Sequence, residues 1–294
     1  MNLAHPRSPG PAWPLRLACI CLLSAAGCAM PLARSAETNL AKALVSTDQE
    51  KQIGAQMKTE LETKQKVHYL ADPVVVQYVR NVANKIIAQG KKDRSDVTWE
   101  VNVIDDAKTV NAFATPGGYL YVYSGLLAAA DDEAQVAGVM AHETGHVVAL
   151  HPARSMVAAY GLEAIAALAS GNNPGLLSKL TTGIAENGLM LAHSRADETE
   201  ADEFGARYAS GAGYDPHALI AFFRTLQAQE GTTPRALVFL SDHPATPDRI
   251  KHLEQFIAAN HLPGSDLGKQ AFAPIKARVQ GQSHTTAAAL PPPP

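Results

Sequence analysis

Residues 132–150 of the chain read DEAQVAGVMAHETGHVVAL. Asp132 is a favourable N-cap residue, and the apolar residues after it lie almost all round the predicted helix. A helix of this kind is buried, so its polar residues require a specific role. Three of them, His142, Glu143 and His146, form an H-E-x-x-H motif. This buried helix and its motif decide the predicted fold and chemistry.

The spacing of the motif suits metal binding. Because four residues are slightly more than one helical turn, the imidazoles of His142 and His146 project from the same face. Two ring nitrogens can then bind one Zn²⁺ at about 2.0–2.1 Å. Glu143 lies beside the metal, where it can act as a general base toward zinc-activated water. Chance gives this pattern in roughly one such chain in fifty or a hundred, and a buried helix makes chance a weaker explanation. We predict one Zn²⁺ per chain.

A catalytic zinc site also needs a third protein ligand and an open position. The long metzincin motif is excluded, because Ala149 and Pro152 occupy the positions of its glycine and third histidine. One candidate ligand is Glu163, 17 residues after the motif. The other is Glu198, with Asp202 one helical turn later to orient a metal-bound histidine. A solvated acidic helix face is the alternative interpretation of the second pair.

The predicted strands lie just before the motif helix. Val97–Ile104 alternates well enough to be a strand, and Asn111–Thr115 and Tyr119–Tyr123 are joined at Pro116–Gly118. The tyrosines of the last strand share one face, where packing is favoured over a substrate subsite. Further helices are predicted over residues 47–64, 72–90, 155–168, 196–209, 217–229 and 247–260. The prediction is an α+β fold, mostly helical, with a small β-sheet or hairpin beside the H-E-x-x-H helix.

The N-terminus is typical of an exported protein. Residues 1–28 predict a signal peptide, because an apolar run at 17–26 follows two arginines and is far shorter than the ~20 residues that span a bilayer. Small residues before Cys28 resemble the lipobox of bacterial lipoproteins, so Cys28 is the expected lipidation site. Cleavage without a lipid is the alternative. All three cysteines lie at or before position 28, so the mature chain has no internal disulfide.

Composition favours one globular domain between flexible ends. The 294 residues are 46% hydrophobic, with a formal net charge of -3 and no run of Lys or Arg, which argues against nucleic acid as a partner. We predict a tether at residues 29–45, the catalytic domain at 46–275 and a disordered Pro-rich tail at 276–294. Residues 170–187, rich in Gly, Asn and Thr, predict a mobile loop or lid.

Four ordered blocks of sequence carry a family resemblance. They are Asn111–Ala114 with Pro116–Tyr119 and Ser124–Leu127; His142–His146 with Val147 and His151; Ser194-Arg195 with Glu198, Glu200, Ala201 and Asp202; and His243-Pro244 with Arg249-Ile250. Together they resemble the HtpX/BepA/LoiP-like family of zinc metallopeptidases, which are H-E-x-x-H gluzincins. The resemblance covers about residues 47–256, and it implies a zincin-type metallopeptidase domain.

The resemblance also implies roles for individual residues. Glu198 is then the third zinc ligand, and Asp202 supports the ligands from behind. His243 and Arg249 are expected near the metal, as catalytic groups that stabilise the oxyanion or position the substrate. In some relatives the histidine that matches His243 fills the open zinc position and silences the enzyme. His151 is expected only to pack or cap a helix end. Five histidines without a motif partner are expected to be ordinary surface or structural residues: His68, His193, His252, His261 and His284.

By the same resemblance, the expected function is hydrolysis of peptide bonds in misfolded or unassembled cell-envelope proteins. The chain has no long apolar span after its signal, so the periplasmic kind, lipid-anchored to the bacterial outer membrane, fits better than transmembrane relatives. An extended substrate could add to the strand edge beside the zinc helix. One alternative is a proteolytically silent zinc-bound chaperone or assembly factor, and another is a zinc hydrolase of small molecules. The sequence does not predict an oligomeric state.

Overall fold

The computed structural model describes residues 45–187, 193–228 and 237–288 of the chain. The predicted signal peptide, Cys28 and all of the tether except residue 45 lie outside the described residues.

Helices surround a small sheet in the described part of the chain. The strands are β1 (Glu100–Ile104), β2 (Ala112–Thr115) and β3 (Tyr119–Tyr123). The helices are α1 (Thr47–Thr63), α2 (Pro73–Asp93), α3 (Ser124–Ala129), α4 (Glu133–Val148), α5 (His151–Tyr160), α6 (Leu162–Ala169), α7 (Pro174–Asn187), α8 (Arg195–Gly211), α9 (Ala218–Ala228), α10 (Leu237–Asp242), α11 (Pro247–Ala259) and α12 (Lys269–Ala288). The predicted α+β class, mostly helical with a small sheet, is confirmed. Among these helices, none is long and apolar enough to cross a membrane.

The sheet has the order β1-β3-β2, with β3 parallel to β1 and antiparallel to β2. The hairpin of β2 and β3 is the predicted one, with Phe113 opposite Tyr121. The first strand begins at Glu100, three residues later than the sequence predicted. Since β2 is an edge of the sheet and packs beside α4, the motif helix lies next to a strand edge, as expected.

The two faces of the sheet pack against two different hydrophobic cores. Leu120 and Val122 point into the larger core, which α2 and α4 share. Tyr121 points to the opposite face, where it is fully buried and stacks on Phe113 with ring centroids 4.6 Å apart. Because side chains alternate along a strand, this arrangement buries both faces of β3. Tyr121 therefore packs, as the sequence favoured.

The helix N-termini follow their sequence signals, with one shift. Asp72 and Asp132 are the N-caps of α2 and α4, and each accepts hydrogen bonds from backbone N–H groups of the first turn. For α1 the sequence placed the capping box at Thr47. The structure places the N-cap at Ser46, whose partner three residues on is Gln49. The difference is one residue, which is common at helix ends.

Two predictions for the segment after α4 were wrong. The helix predicted over residues 155–168 is broken at Gly161, whose φ of +81° lies in a region that glycine adopts readily. The predicted mobile lid at 170–187 is largely the helix α7. Its buried side chains Leu176, Leu180 and Ile184 recur every four residues, and they join the core beneath the tyrosine face of the sheet.

The C-terminal region is more regular than the sequence suggested. Instead of an irregular chain after Leu262, α12 runs from Lys269 to Ala288, into the stretch predicted to be a disordered tail. Phe272, Ile275 and Val279 are buried against the larger core, which explains why the helix forms despite an internal proline. Residues 289–294 lie outside the described part of the chain.

Candidate metal centre

The motif helix α4 places three polar side chains in a buried position. His142, Glu143 and His146 are each at most 3% exposed. The Nε2 atoms of the two histidines lie 2.9 Å apart. Two imidazole nitrogens that face each other at this distance present lone pairs to one point, as the four-residue spacing predicted.

The helix α8 brings the third group to the same point. Glu198 Oε2 lies 3.5 Å from Nε2 of His142, and Glu198 Oε1 lies 3.4 Å from Nε2 of His146. The alternative ligand Glu163 is exposed on α6 and is not part of the group of described residues that could hold a metal ion. The geometry therefore favours Glu198 over Glu163.

Two glycines allow α4 and α8 to lie this close. A Cβ atom on Gly145 would lie 2.9 Å from the backbone oxygen of Ala201. A Cβ atom on Gly205 would lie 3.1 Å from the backbone nitrogen of His142. Both distances are shorter than ordinary contacts, so a side chain at either position would push the helices apart. The motif's fourth residue thus has a packing role as well as a place in the pattern.

His243 completes a group of four. It follows the short helix α10 and is buried, with Nδ1 3.2 Å from Nε2 of His142 and 3.1 Å from both oxygens of Glu198. Its other nitrogen, Nε2, lies 3.3 Å from Oε1 of Glu143. The imidazole therefore stands between the candidate ligands and the candidate general base.

These separations agree with a single metal ion. At metal–ligand distances of about 2.0–2.1 Å, two ligands of a tetrahedral ion lie about 3.3–3.4 Å apart. The separations from His142 to Glu198 and to His243 are 3.5 and 3.2 Å, and that from His146 to Glu198 is 3.4 Å. Two other pairs are shorter than the tetrahedral value: His243 and Glu198 at 3.1 Å, and His142 and His146 at 2.9 Å, which corresponds to an angle of about 90° at the ion. All four ligand atoms lie within 4.8 Å of one another. The residues present fit one ion with nitrogen and carboxylate ligands.

Behind the ligands, Asp202 and Arg249 form a buried ion pair. Oδ1 of Asp202 lies 2.9 Å from Nδ1 of His142 and accepts a hydrogen bond of 2.8 Å from Nη2 of Arg249. Nη1 of Arg249 lies 2.8 Å from Oε2 of Glu198. The structure thus brings the carboxylate of Asp202 next to the ring of His142. Arg249 faces two carboxylates of the centre, with its donors turned toward them.

Burial and neighbouring charges raise the pKa values of His142 and Glu143 and lower that of Asp202. Burial opposes the charged form of His142, but Asp202 and Glu198 outweigh this and raise its pKa to about 9. For Asp202 burial raises the pKa, yet Arg249 outweighs it and the net pKa is lowered. Burial also raises the pKa of the Glu143 carboxyl, and there the net shift is upward. Among the buried carboxylates Glu143, Glu198 and Asp202, Glu143 is the one whose charged form is least stabilised, as expected for a group that exchanges a proton.

Two histidines near the centre were missed by the sequence reasoning. His151, expected only to cap or pack a helix end, has Nδ1 2.9 Å from Nδ1 of His146. His193, expected to be an ordinary residue, stacks on His146 with ring centroids 4.1 Å apart. Burial lowers the pKa of His193 to about 3, so its ring is neutral. In the sequence, only their positions pointed to the site: His151 follows the motif by five residues, and His193 directly precedes the third sequence block.

Comparisons with known proteins agree with this arrangement. Residues 73–257 match the description "Peptidase family M48". Mitochondrial metalloendopeptidase OMA1 of Schizosaccharomyces pombe is 38% identical over 180 residues, which cover 61% of this chain and 52% of that protein. A beta-barrel assembly-enhancing protease of Yersinia pestis is 26% identical over 253 residues, 82% of this chain and 50% of that protein. Metalloprotease YcaL of Escherichia coli is 31% identical over 167 residues, 55% and 63% of the two chains.

The matched regions span between half and two thirds of these relatives. The family match itself covers more than half of this chain, and it contains all four sequence blocks and every side chain of the metal centre. The resemblance predicted from those blocks is confirmed, and the chain belongs to peptidase family M48, whose members are metallopeptidases.

Proposed function

We propose that this protein is a zinc-dependent endopeptidase. The observation that carries the proposal is the convergence of His142, His146 and Glu198 on one buried point, with Glu143 beside them. Two histidines and one glutamate are a ligand set found in catalytic zinc sites, where the fourth position stays available. Bound there, zinc would act as a Lewis acid that polarises the scissile carbonyl and makes a water molecule more acidic.

The chain's own residues supply the proton transfers and the positioning. Glu143 takes the proton of the attacking water and returns it to the leaving amine. Asp202 holds Nδ1 of His142 and so directs Nε2 toward the metal. Arg249 fixes Asp202 and Glu198. We therefore assign Arg249 mainly to positioning these carboxylates, while His243 is placed to donate to the oxyanion once the fourth position is open.

The substrate class follows from the relatives and from the sheet edge. One relative is named a beta-barrel assembly-enhancing protease, and β2 offers an edge to which an extended chain can add beside α4. Backbone pairing of this kind accepts many sequences, so we propose misfolded or unassembled cell-envelope proteins as substrates. With the sequence of residues 1–28, this supports an exported, periplasmic enzyme, lipidated at Cys28 and anchored to the outer membrane.

A second candidate function has one observation in its favour. Nδ1 of His243 lies as close to His142 and Glu198 as a fourth ligand would. With His243 as the fourth protein ligand a tetrahedral zinc site would be complete, and the protein would be a proteolytically silent zinc-bound chaperone or assembly factor. The two functions differ only in whether His243 leaves the centre.

Two variants distinguish these functions. Glu143→Gln should lower the cleavage of an unfolded protein such as casein by about 10²–10⁴-fold, because it removes the general base. Its zinc content should remain one per chain. If Glu143→Gln cleaves casein as fast as the wild type, the peptidase mechanism is wrong. If the wild type is inactive and His243→Ala is active, the wild type is the silent form. If neither cleaves casein, the endopeptidase proposal is contradicted, and suppression of the aggregation of an unfolded protein by the wild type would support the chaperone function.

A further inference from the structure

His151 connects the metal centre to the outer side of α8. It is the first residue of α5, and its side chain is fully buried. Its Nδ1 lies 2.9 Å from Nδ1 of His146. Its Nε2 lies 3.2 Å from Oε2 of Glu200 and 3.4 Å from Oδ1 of Asp197. Both carboxylates are partly exposed, so the contacts lead from the buried centre to the solvent boundary.

These contacts determine where the ring protons lie. Nε2 of His146 lies 2.9 Å from Nε2 of His142, and it must offer a lone pair to bind a metal there. The ring proton of His146 is then on Nδ1, where it is donated to Nδ1 of His151. The proton of His151 is therefore on Nε2, which donates to the two carboxylates. A single pair of tautomers, with the proton on Nδ1 of His146 and on Nε2 of His151, satisfies all of these contacts.

The same side chains could also be taken for a second metal site. His151, Asp197 and Glu200 offer ligand atoms within 4.8 Å of one another. However, Nη2 of Arg154 lies 3.5 Å from Asp197, and its Nη1 lies 3.9 Å from Glu200. A guanidinium thus already offsets the negative charge that a cation would use. The cluster is better suited to hold an imidazole than an ion.

We propose that His151 is a positioning residue for the metal ligand His146, and that Glu200 and Asp197 hold His151 in turn. The proposal rests on the metal centre of the proposed function. It gives the two histidine ligands different supports: His142 contacts a carboxylate directly, whereas His146 reaches one through a second imidazole. Loss of such an outer partner lowers metal affinity by about 10–100-fold.

Two substitutions at position 151 separate the two nitrogens of the ring. In His151→Asn, the amide oxygen takes the place of Nδ1 and still accepts from His146. In His151→Gln, the amide reaches the place of Nε2, and the acceptor for His146 is lost. Zinc affinity of the full chain is measured by competition with a chromophoric chelator, and the unfolding temperature of the metal-free form is the control for folding. We expect His151→Gln to bind zinc about 10–100-fold more weakly, and His151→Asn to retain affinity close to that of the wild type.

Glu200→Gln gives an independent test, because its side chain is partly exposed and its loss leaves the core packed. We expect it to weaken zinc binding by a smaller factor than His151→Gln. If His151→Gln binds zinc as tightly as the wild type, or if both position-151 variants lose affinity equally with unchanged metal-free unfolding, the proposal is wrong. Where both variants unfold early, Glu200→Gln decides: unchanged affinity contradicts the proposal and weakened affinity supports it.

The zinc stoichiometry separates the remaining possibilities. A second zinc per wild-type chain that Glu200→Gln abolishes would overturn the positioning role in favour of a second metal site. A wild type that binds no zinc would overturn the proposed function itself. A wild type that binds one zinc and cleaves casein, with His151→Gln unaffected in zinc affinity, would overturn only the role of His151.

Discussion

Replacement of Gly145 by alanine tests the packing that builds the metal centre. The new Cβ atom would lie 2.9 Å from both the backbone oxygen of Ala201 and Cβ of Phe204, whereas ordinary contact begins at 3.4 Å. The helix α8 must therefore move away from α4 by about 0.5 Å. Because Glu198 belongs to α8, this displacement moves one candidate ligand relative to the histidine pair.

The stability change has two opposing parts, and the change in metal affinity is the more sensitive measure. Alanine is favoured over glycine in a helix by about 1 kcal/mol. Overpacking a close contact costs about 1–3 kcal/mol. We expect a net loss of up to about 2 kcal/mol in the free energy of unfolding. Metal–ligand distances tolerate only about 0.2 Å, so we expect zinc affinity to fall about tenfold or more.

The assay needs both quantities and a matched control. Zinc affinity is measured by chelator competition, and the free energy of unfolding by urea denaturation with chelator present. Gly175→Ala on α7 is the control, because no atom lies within 4 Å of its new Cβ. It should leave zinc affinity unchanged and stabilise the fold by up to about 1 kcal/mol. If Gly145→Ala behaved like this control in both measurements, the contact between α4 and α8 would not be what positions Glu198.

Three further predictions concern charge and metal. Asp202→Asn removes one of the two carboxylates that face the buried guanidinium of Arg249 and leaves only Glu198, so urea denaturation of the metal-free protein should show a loss of up to about 3–5 kcal/mol; no loss would contradict the buried pair. Burial raises the pKa of Asp72, but Arg278 and two backbone N–H groups outweigh it and lower the net value. Because the pKa of Asp72 is lower in the folded than in the unfolded state, this carboxylate stabilises the fold at pH values above its unfolded-state pKa. The stabilisation is lost as the pH falls through its folded-state pKa. Arg278→Gln should therefore lower unfolding free energy by less than about 1 kcal/mol at pH 7, and this loss should shrink as the pH falls toward the folded-state pKa of Asp72; a loss that does not change with pH would contradict the linkage. When free zinc is present at about 1,000 times its Kd, bound zinc should stabilise the fold by about 4 kcal/mol. Removal of the zinc should therefore lower the Tm measured by calorimetry by roughly 8–16 °C.

The parts of the fold that the sequence predicted well are those with local signals. The hairpin of β2 and β3 is marked by a Pro-Gly-Gly turn, and α2 and α4 by aspartate N-caps. The helix α7 was missed because Gly, Asn and Thr are frequent in residues 170–187, although Leu176, Leu180 and Ile184 have helical spacing. What stabilises α7 is the second core beneath the sheet, and that core is formed by residues far apart in sequence.

The residues of the candidate site also fall into those that local sequence signals predict and those that they do not. The histidine pair follows from helix geometry, and Glu198 and Asp202 from the resemblance together with one-turn spacing. The contact of His151 with His146 could not be predicted, because it depends on the turn at Leu150, whose φ of +64° redirects the chain after α4. After that turn, Nδ1 of His151 lies 2.9 Å from Nδ1 of His146. The direction of a chain after a helix depends on single backbone angles, to which periodicity is insensitive.

The charges of the centre explain why its chemistry and its stability are linked. Among its described residues, Glu143, Glu198 and Asp202 are buried carboxylates, and Arg249 is a buried cation. With all four ionised the formal charge is -2, which a low-dielectric interior does not tolerate unless it is balanced. A divalent ion balances it. Without the ion, the same charge balance requires protons on Glu143 or on the histidines. Neither protonated form suits catalysis, because a protonated Glu143 cannot act as a base and a protonated imidazole has no lone pair for the metal. The arrangement that binds the metal is therefore also the one that keeps the general base charged.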